Sequence, residues 1–210
     1  MRADWVLSGA ESLYANVVDE DRHLLTRIFS ASEKPVQFEF RIQHPDGDIR
    51  WVRNLSFATY DNNGLVKNIA GFGEDITEAY LSNQRIKLAA SVFESTAEAI
   101  VVTDAENQIV SVNEAFTRIT GFQQEEVQGK NPSVLSSGKQ SPDFYNVMWQ
   151  SLKNTGSWQG EVWNRKKSGE LYVEWLSITA LKNRFDQVEN YVAVFSDITD
   201  RKEKEELIRY

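Results

Sequence analysis

The stretch GSWQGEVWNRKKSGELYVEW, which runs from Gly156 to Trp175, combines several aromatic residues with one asparagine, Asn164. Its composition predicts a β-hairpin, because a glycine at the end of KSG can adopt the left-handed conformation that closes a three-residue loop. In that register Asn164 lies opposite Tyr172, and alternation places both on one face with Trp158. A ring that stacks and an amide that reads donors and acceptors suit a planar heteroaromatic ligand. The alternative is that these rings fill the core and Asn164 bonds only backbone groups.

Two further tryptophans fall on the opposite face of the same hairpin. Alternation places Trp163 and Trp175 there, away from Trp158. Large exposed apolar side chains are unfavourable on a free surface. We therefore predict that Trp163 and Trp175 form an interface, covered either by a flanking helix of this chain or by a second subunit.

The residue types exclude several kinds of chemistry. There is no cysteine, which excludes disulfides, thiolate metal sites and a cysteinyl adduct. The two histidines are His23 and His44, and no Ser-His-Asp arrangement can be built around Asn164 and its neighbours. We predict no catalytic residues, no metal site and no haem, and the chain is not expected to be an enzyme.

The composition bounds the location and the partners. The formal net charge is -8, and binding to phosphates needs a surplus of Lys and Arg, so a nucleic-acid partner is not expected. No apolar run approaches the roughly 18 residues that span a bilayer. The N-terminus lacks the apolar core of a signal peptide. We predict a cytoplasmic protein without a membrane segment.

The chain contains an internal repeat without a gap. Gly47 aligns with Gly169 and Asp75 with Asp197, and both offsets are 122 (169 − 47 and 197 − 75). The triplet Asp-Ile-Thr ends both copies. A repeat of this kind predicts two copies of one domain.

Each copy reads locally as strand, turn, strand, turn, strand. The second copy also has a first hairpin around Asp104 and helical segments near 113–120, 123–128 and 142–155. The first copy has no room for the counterpart of that hairpin. We expect it to be either cut short at its N-terminus or an unusually short domain.

A helix is predicted between the two copies. Apolar and small residues recur at spacings of three and four in a heptad-like stripe, which includes Ile86 and Phe93. The stripe either pairs with its twin in a dimer or packs on its own domain. The expected division is 1–77 for the first domain, 78–92 for the linker, 93–199 for the second domain and 200–210 for a C-terminal helix.

Both copies resemble PAS sensor domains. The resemblance rests on VVTDAENQIVSVNEAFTRITGF, FRIQHPDGDIRWV, NRKKSGELYVE and the two DIT triplets. It covers the second copy fully and the first from about Val17 onward. The resemblance implies an α+β fold in which each domain is an antiparallel five-stranded sheet with short helices on one face. It also implies a sensory role in a bacterial signalling protein.

The second copy is similar to flavin-binding PAS domains of redox sensors. That similarity implies that Trp158 and Asn164 contact a flavin such as FAD, with Asn131 nearby and Tyr172 on the same face. Many domains of this pattern hold no known cofactor, so a ligand-free pair that serves dimerisation or protein interaction is the alternative.

The tail DITDRKEKEELIRY resembles the linker that leads from such domains into an output domain. The implied outputs are a diguanylate cyclase or phosphodiesterase of cyclic-di-GMP signalling, or a histidine kinase. A homodimer is the expected assembly.

Overall fold

The computed structural model describes residues 15–27, 34–64 and 66–208. The chain divides into two compact units, Met1–Leu88 and Ala89–Tyr210. Each unit holds one antiparallel sheet. The boundary lies inside the helix that the sequence predicts between the repeats.

The described elements of the first unit are one short 3-10 helix, three strands and the start of the long helix. Their bounds are Asp19–Arg27 for the 3-10 helix, β1 Val36–Gln43, β2 Ile49–Tyr60, β3 Val66–Asp75 and α1 Thr77–Ser95. The strand order is β1-β2-β3. The sheet of the first unit therefore has three strands among the described residues.

Alternating apolar residues form the core of the first unit. Phe38 and Phe40 of β1 point to one face and are buried with Val17 and Leu25. The predicted turn between β1 and β2 is present, and Gly47 closes it at a φ of 93°, a left-handed value that favours glycine.

Helix α1 (Thr77–Ser95) confirms the predicted helical connector. No residue of α1 is buried in this chain, and Ile86 is 66% exposed. A long helix with apolar residues and no buried position is unusual for an isolated chain, because packing of an apolar face supplies most helical stability.

The second unit has five strands and four helices after α1, with a 3-10 turn between α3 and α4. Their bounds are β4 Ala99–Asp104, β5 Ile109–Val112, α2 Glu114–Thr120, α3 Gln124–Val127, the 3-10 turn Pro132–Leu135, α4 Pro142–Thr155, β6 Ser157–Arg165, β7 Leu171–Lys182, β8 Val188–Asp197 and α5 Thr199–Ile208. The predicted first hairpin and helical segments are confirmed.

The five strands form one antiparallel sheet in the order β5-β4-β8-β7-β6. Local signals set the ends of α4: Ser141 accepts from the Phe144 N–H, Pro142 follows, and Gly156 ends the helix at a φ of 76°. The main core lies on the helix-bearing face and consists of Ala99, Val101, Ile109, Val112, Phe116, Val127, Leu135, Tyr172 and Phe195. The α+β fold predicted from the sequence is confirmed.

The Asp-Ile-Thr triplets make the same contacts in both units. The Thr77 hydroxyl accepts from the Trp51 N–H at 2.8 Å and donates to Asp75 at 2.6 Å. The Thr199 hydroxyl accepts from the Val173 N–H at 3.0 Å and donates to Asp197 at 2.6 Å. Each triplet thus ties the start of a helix to a strand of its sheet, β2 in the first unit and β7 in the second.

Candidate functional site

The hairpin of β6 and β7 has the predicted register. Asn164 pairs with Tyr172, Trp163 with Val173 and Trp158 with Ile178. The loop ends at Gly169, whose φ is 91°. The division of this hairpin into two faces is therefore confirmed.

The inward face of the sheet borders a cavity of about 490 Å³ in the second unit. That volume falls within the roughly 300–1,000 Å³ of small-molecule sites. Strands β4, β6, β7 and β8 supply one wall, and α4 and the segment before it supply another. Its polar and aromatic lining includes Asn131, Trp149, Asn164, Glu174 and Tyr191.

A buried polar pair lies on the sheet side of the cavity. The Asn164 amide Nδ2 donates to Glu174 Oε1 at 2.9 Å. Asn164 is 8% exposed and Glu174 is 2% exposed. The other carboxyl oxygen of Glu174, Oε2, has no hydrogen-bond partner in the described part of the chain. An orphaned buried polar atom on a cavity wall can hydrogen-bond a ligand.

Burial shifts the ionisation of Glu174. It raises the pKa of Glu174 to about 7, because a buried carboxylate loses its hydration. Burial also raises the pKa of Tyr172, which lies two residues away on the same face. At neutral pH a large share of Glu174 is therefore a neutral acid, which can donate a hydrogen bond.

Aromatic rings line the cavity as well. Trp149 of α4 and Tyr191 of β8 meet edge to face with ring centroids 5.4 Å apart. Tyr145, one helical turn before Trp149, also borders the cavity. Rings together with a few convergent polar groups are typical of sites for planar aromatic ligands.

The predicted cofactor residues are separated by the structure. Asn164 lines the cavity, and Asn131 lies at its exposed rim, where it accepts from the Ser133 N–H at 2.9 Å. Trp158 faces the helices as predicted and meets Phe144 edge to face at 5.6 Å, but it is not among the cavity-lining residues. Tyr172 is fully buried in the core and is likewise absent from the lining.

Sequence reasoning missed Glu174, Trp149 and Tyr191. Glu174 carried a usable signal, because it stands at an inward strand position between Tyr172 and Leu176, where a charged residue breaks the apolar pattern. Trp149 and Tyr191 carried no comparable signal, because their meeting depends on how α4 packs against β8.

The outer face carries the other two tryptophans. Trp163 is 37% exposed and Trp175 is 44% exposed. The Lys139 ammonium lies 3.6 Å from the centre of the Trp163 ring. Both rings keep more than a third of their surface exposed among the described residues, and the interface expected at Trp163 and Trp175, with both of its alternatives, stays a prediction. Trp51 of the first unit lies on the corresponding outer face, and Tyr80 stacks on it with ring centroids 3.9 Å apart.

Two features are absent from the described residues. Within residues 15–27, 34–64 and 66–208, no three His, Asp or Glu side chains come together as metal ligands. Among the helices in those same ranges, none has the length and apolarity needed to cross a membrane.

Comparison with family models gives two matches. Residues 97–200 match the model described as PAS domain, and residues 2–73 match the model described as PAS fold. The two matches cover the second and first copies of the repeat.

Known proteins support this assignment. The nitrogen fixation regulatory protein of Klebsiella oxytoca is 33% identical over 119 residues, which cover 57% of this chain and 24% of the relative. The blue-light-activated histidine kinase of Brucella anthropi is 30% identical over 94 residues, which cover 45% of this chain and 19% of the kinase. The chain thus spans about a quarter or less of these curated relatives.

A solved structure has the same fold. The crystal structure of the PAS domain of a protein from Colwellia psychrerythraea has a TM-score of 0.53 and is 22% identical. The matched region covers 55% of this chain and 98% of the solved chain.

Proposed function

The chain belongs to the PAS family and carries two of its domains in tandem, and from this premise we propose that its second domain is a sensor that binds a small planar ligand. Its family and the regulatory and kinase relatives support a sensory role in signalling. The observation that carries the ligand proposal is the cavity in which Glu174 presents an unpartnered carboxyl oxygen. A buried polar group without a partner is costly, and a ligand atom would supply the missing hydrogen bond.

A flavin is the ligand that fits this site best. Its tricyclic ring is planar and carries hydrogen-bonding atoms on one edge, which matches aromatic walls facing Asn164 and Glu174. Asn131 at the rim would lie beside the more polar part of such a ligand. Trp158 and Tyr172 would act indirectly, by packing behind the site. A bound flavin would supply redox chemistry, as flavins do in many proteins.

The absorption spectrum of the purified chain tests this proposal. We expect the near-ultraviolet and visible bands of an oxidised flavin, either directly or after incubation with FAD, FMN or riboflavin. A chain that stays colourless after incubation with all three would overturn the flavin proposal.

We further propose that the signal leaves through α5. This helix begins at Thr199, which hydrogen-bonds the backbone of β7 beside the cavity strand positions. A ligand that shifts β7 would move this attachment, and only a ligand with different affinity for two states can transmit a signal. The tail sequence favours a diguanylate cyclase, a phosphodiesterase or a histidine kinase as the output, in the cytoplasm.

A second candidate function is self-association, favoured by the exposure of Trp163 and Trp175. We propose that these rings, together with the exposed stripe of α1 around Ile86 and the half-buried Phe93, form a homodimer interface. Aromatic residues are enriched in the cores of protein interfaces.

Light scattering tests the interface. The double variant Trp163→Ala and Trp175→Ala should shift the mass toward that of a monomer while the flavin bands stay unchanged. An unchanged mass with loss of the bound flavin would reverse the assignment of the two faces.

A further inference from the structure

Glu174 lines the cavity, and it is the only buried acid among the described residues. It is 2% exposed, one oxygen accepts from Asn164 at 2.9 Å, and the other oxygen has no partner in the described residues. An isolated charge in such a place is unfavourable because it loses its hydration, so the carboxyl tends to keep its proton. Since Oε1 already accepts from Asn164, the proton belongs on Oε2.

We propose that Glu174 is the residue that selects the ligand, by donating its Oε2 proton to an acceptor atom on the edge of a planar heteroaromatic ring. This inference rests on the proposed function, and it adds the chemistry of recognition. The acceptor is a ring carbonyl oxygen or an unprotonated ring nitrogen. A ring whose edge presented only N–H groups at this point would leave the Glu174 proton unpaired and would be rejected.

The groups around Glu174 agree with a neutral acid. Asp197 of β8 is its backbone partner in the sheet, and its negative charge disfavours a second one nearby. Lys166 lies 3.2 Å from Asp197, so that its positive charge is engaged by Asp197 and by Glu170. The Tyr172 hydroxyl is buried on the same face. No hydrogen bond of standard geometry joins it to Glu174, but its proximity opposes the larger effect of burial on the pKa of that carboxyl.

Binding of riboflavin as a function of pH tests the inference. If the protonated acid binds, the affinity should be constant at acidic pH and fall about tenfold per pH unit above the pKa of Glu174, which is about 7. Glu174→Gln keeps a donor at every pH, so its affinity should match that of the acidic wild type and stay flat. Glu174→Leu keeps the volume without the donor and should bind about tenfold more weakly at acidic pH.

Two control variants separate Glu174 from its surroundings. Glu161→Gln removes a carboxylate on the outer face, which pairs with Lys202 at 2.7 Å, and should keep the wild-type pH profile. Tyr172→Phe removes the buried hydroxyl and should keep the loss of affinity at alkaline pH. Circular dichroism reports whether Glu174→Leu folds, and Glu174→Gln carries the test if it does not.

The outcomes are distinguishable. Riboflavin that binds wild type equally at all pH values would overturn the role of Glu174 and leave the proposed function standing. If riboflavin binds at no pH, the titration uses FAD or FMN instead, and a chain that binds none of the three would overturn both. An infrared band of a protonated carboxyl in the ligand-free chain, lost in Glu174→Gln near neutral pH, is expected independently of any ligand, and its absence would contradict the inference.

Discussion

Two equivalent sheet positions hold polar residues in the second domain and apolar residues in the first. In the second domain these positions hold Asn164 and Glu174, which line the cavity. In the first domain, 122 residues earlier, they hold Ile42 and Val52, which pack against the apolar cluster around Phe40. The strand register and the Asp-Thr contacts agree between the two domains. The two domains therefore share the same strand pairing. The polar pair distinguishes the second sheet, which borders a cavity, from the first sheet, which packs against an apolar cluster.

The outer faces differ as well. In the first domain Tyr80 of the following helix stacks on Trp51. In the second domain the corresponding residues are Val173 and Lys202, and Lys202 pairs with Glu161 at 2.7 Å. An aromatic stack covers the first face, whereas an ion pair leaves the tryptophans of the second exposed. The second domain thus differs from the first on both faces of its sheet.

The largest expected effect comes from giving the second domain the residues of the first. The double variant Asn164→Ile and Glu174→Val should bind riboflavin at least about 100-fold more weakly, because it removes two polar groups worth about 1.5 kcal/mol each. Fluorescence titration measures the affinity. Wild-type affinity in this variant would show that the polar pair does not account for the difference between the domains.

The reverse exchange is the matched control. Ile42→Asn and Val52→Glu place polar groups against the apolar cluster of the first domain, and they should destabilise that domain without affecting riboflavin binding. A loss of binding in this variant would mean that riboflavin binding depends on the first domain.

The next effect concerns stability and pH. Because burial raises the pKa of Glu174 from 4.5 to about 7, the folded state holds this proton more tightly than the unfolded state. Its contribution to the free energy of unfolding is fully present below about pH 4 and is lost as the pH rises to about 8, a change of about 3 kcal/mol. Urea unfolding of wild type and of Glu174→Gln at about pH 4 and about pH 8 measures this contribution as the difference between their free energies of unfolding.

The first domain serves as the control for this pH effect, because its residue at the position of Glu174 is Val52, which does not titrate. Hydrogen exchange of β1 and β2 peptides should therefore not differ between wild type and Glu174→Gln at either pH. If wild type and Glu174→Gln kept the same difference in stability at both pH values, the pKa of Glu174 would be the same in the folded and unfolded states.

Much of this fold was predictable from the chain alone, because local rules set it. The repeat, the hairpin register and the position of α1 follow from Gly47, Gly169 and the spacing of apolar residues. The cavity was less predictable. Trp158 shares the inward parity of Asn164, but whether a ring lines a cavity or packs on a helix depends on tertiary packing, and here Phe144 takes that ring. Glu174 shows the opposite case, since its inward position was readable.

A smaller effect is expected on the outer faces. Trp51→Ala removes a ring that stacks on Tyr80 and lies 5.8 Å from the Arg41 guanidinium, and it should cost the first domain about 2 kcal/mol. Trp175→Ala removes a ring that is 44% exposed and should cost the second domain under about 1 kcal/mol, measured below the concentration of self-association. Peptide-resolved hydrogen exchange reports each domain separately. Equal losses would mean that Trp175 is as well packed in solution as Trp51.

Another small effect is expected at the contact that the two domains share. Thr77→Val and Thr199→Val each keep the side-chain shape and remove the hydroxyl, which leaves the N–H of Trp51 or of Val173 without its partner. Each should cost its own domain about 1 kcal/mol. Amide exchange measured by NMR should accelerate at Trp51 in one variant and at Val173 in the other. Because the hydroxyl geometry is similar in both domains, a markedly larger effect of Thr199→Val would indicate that attachment of the following helix contributes more in the second domain than in the first.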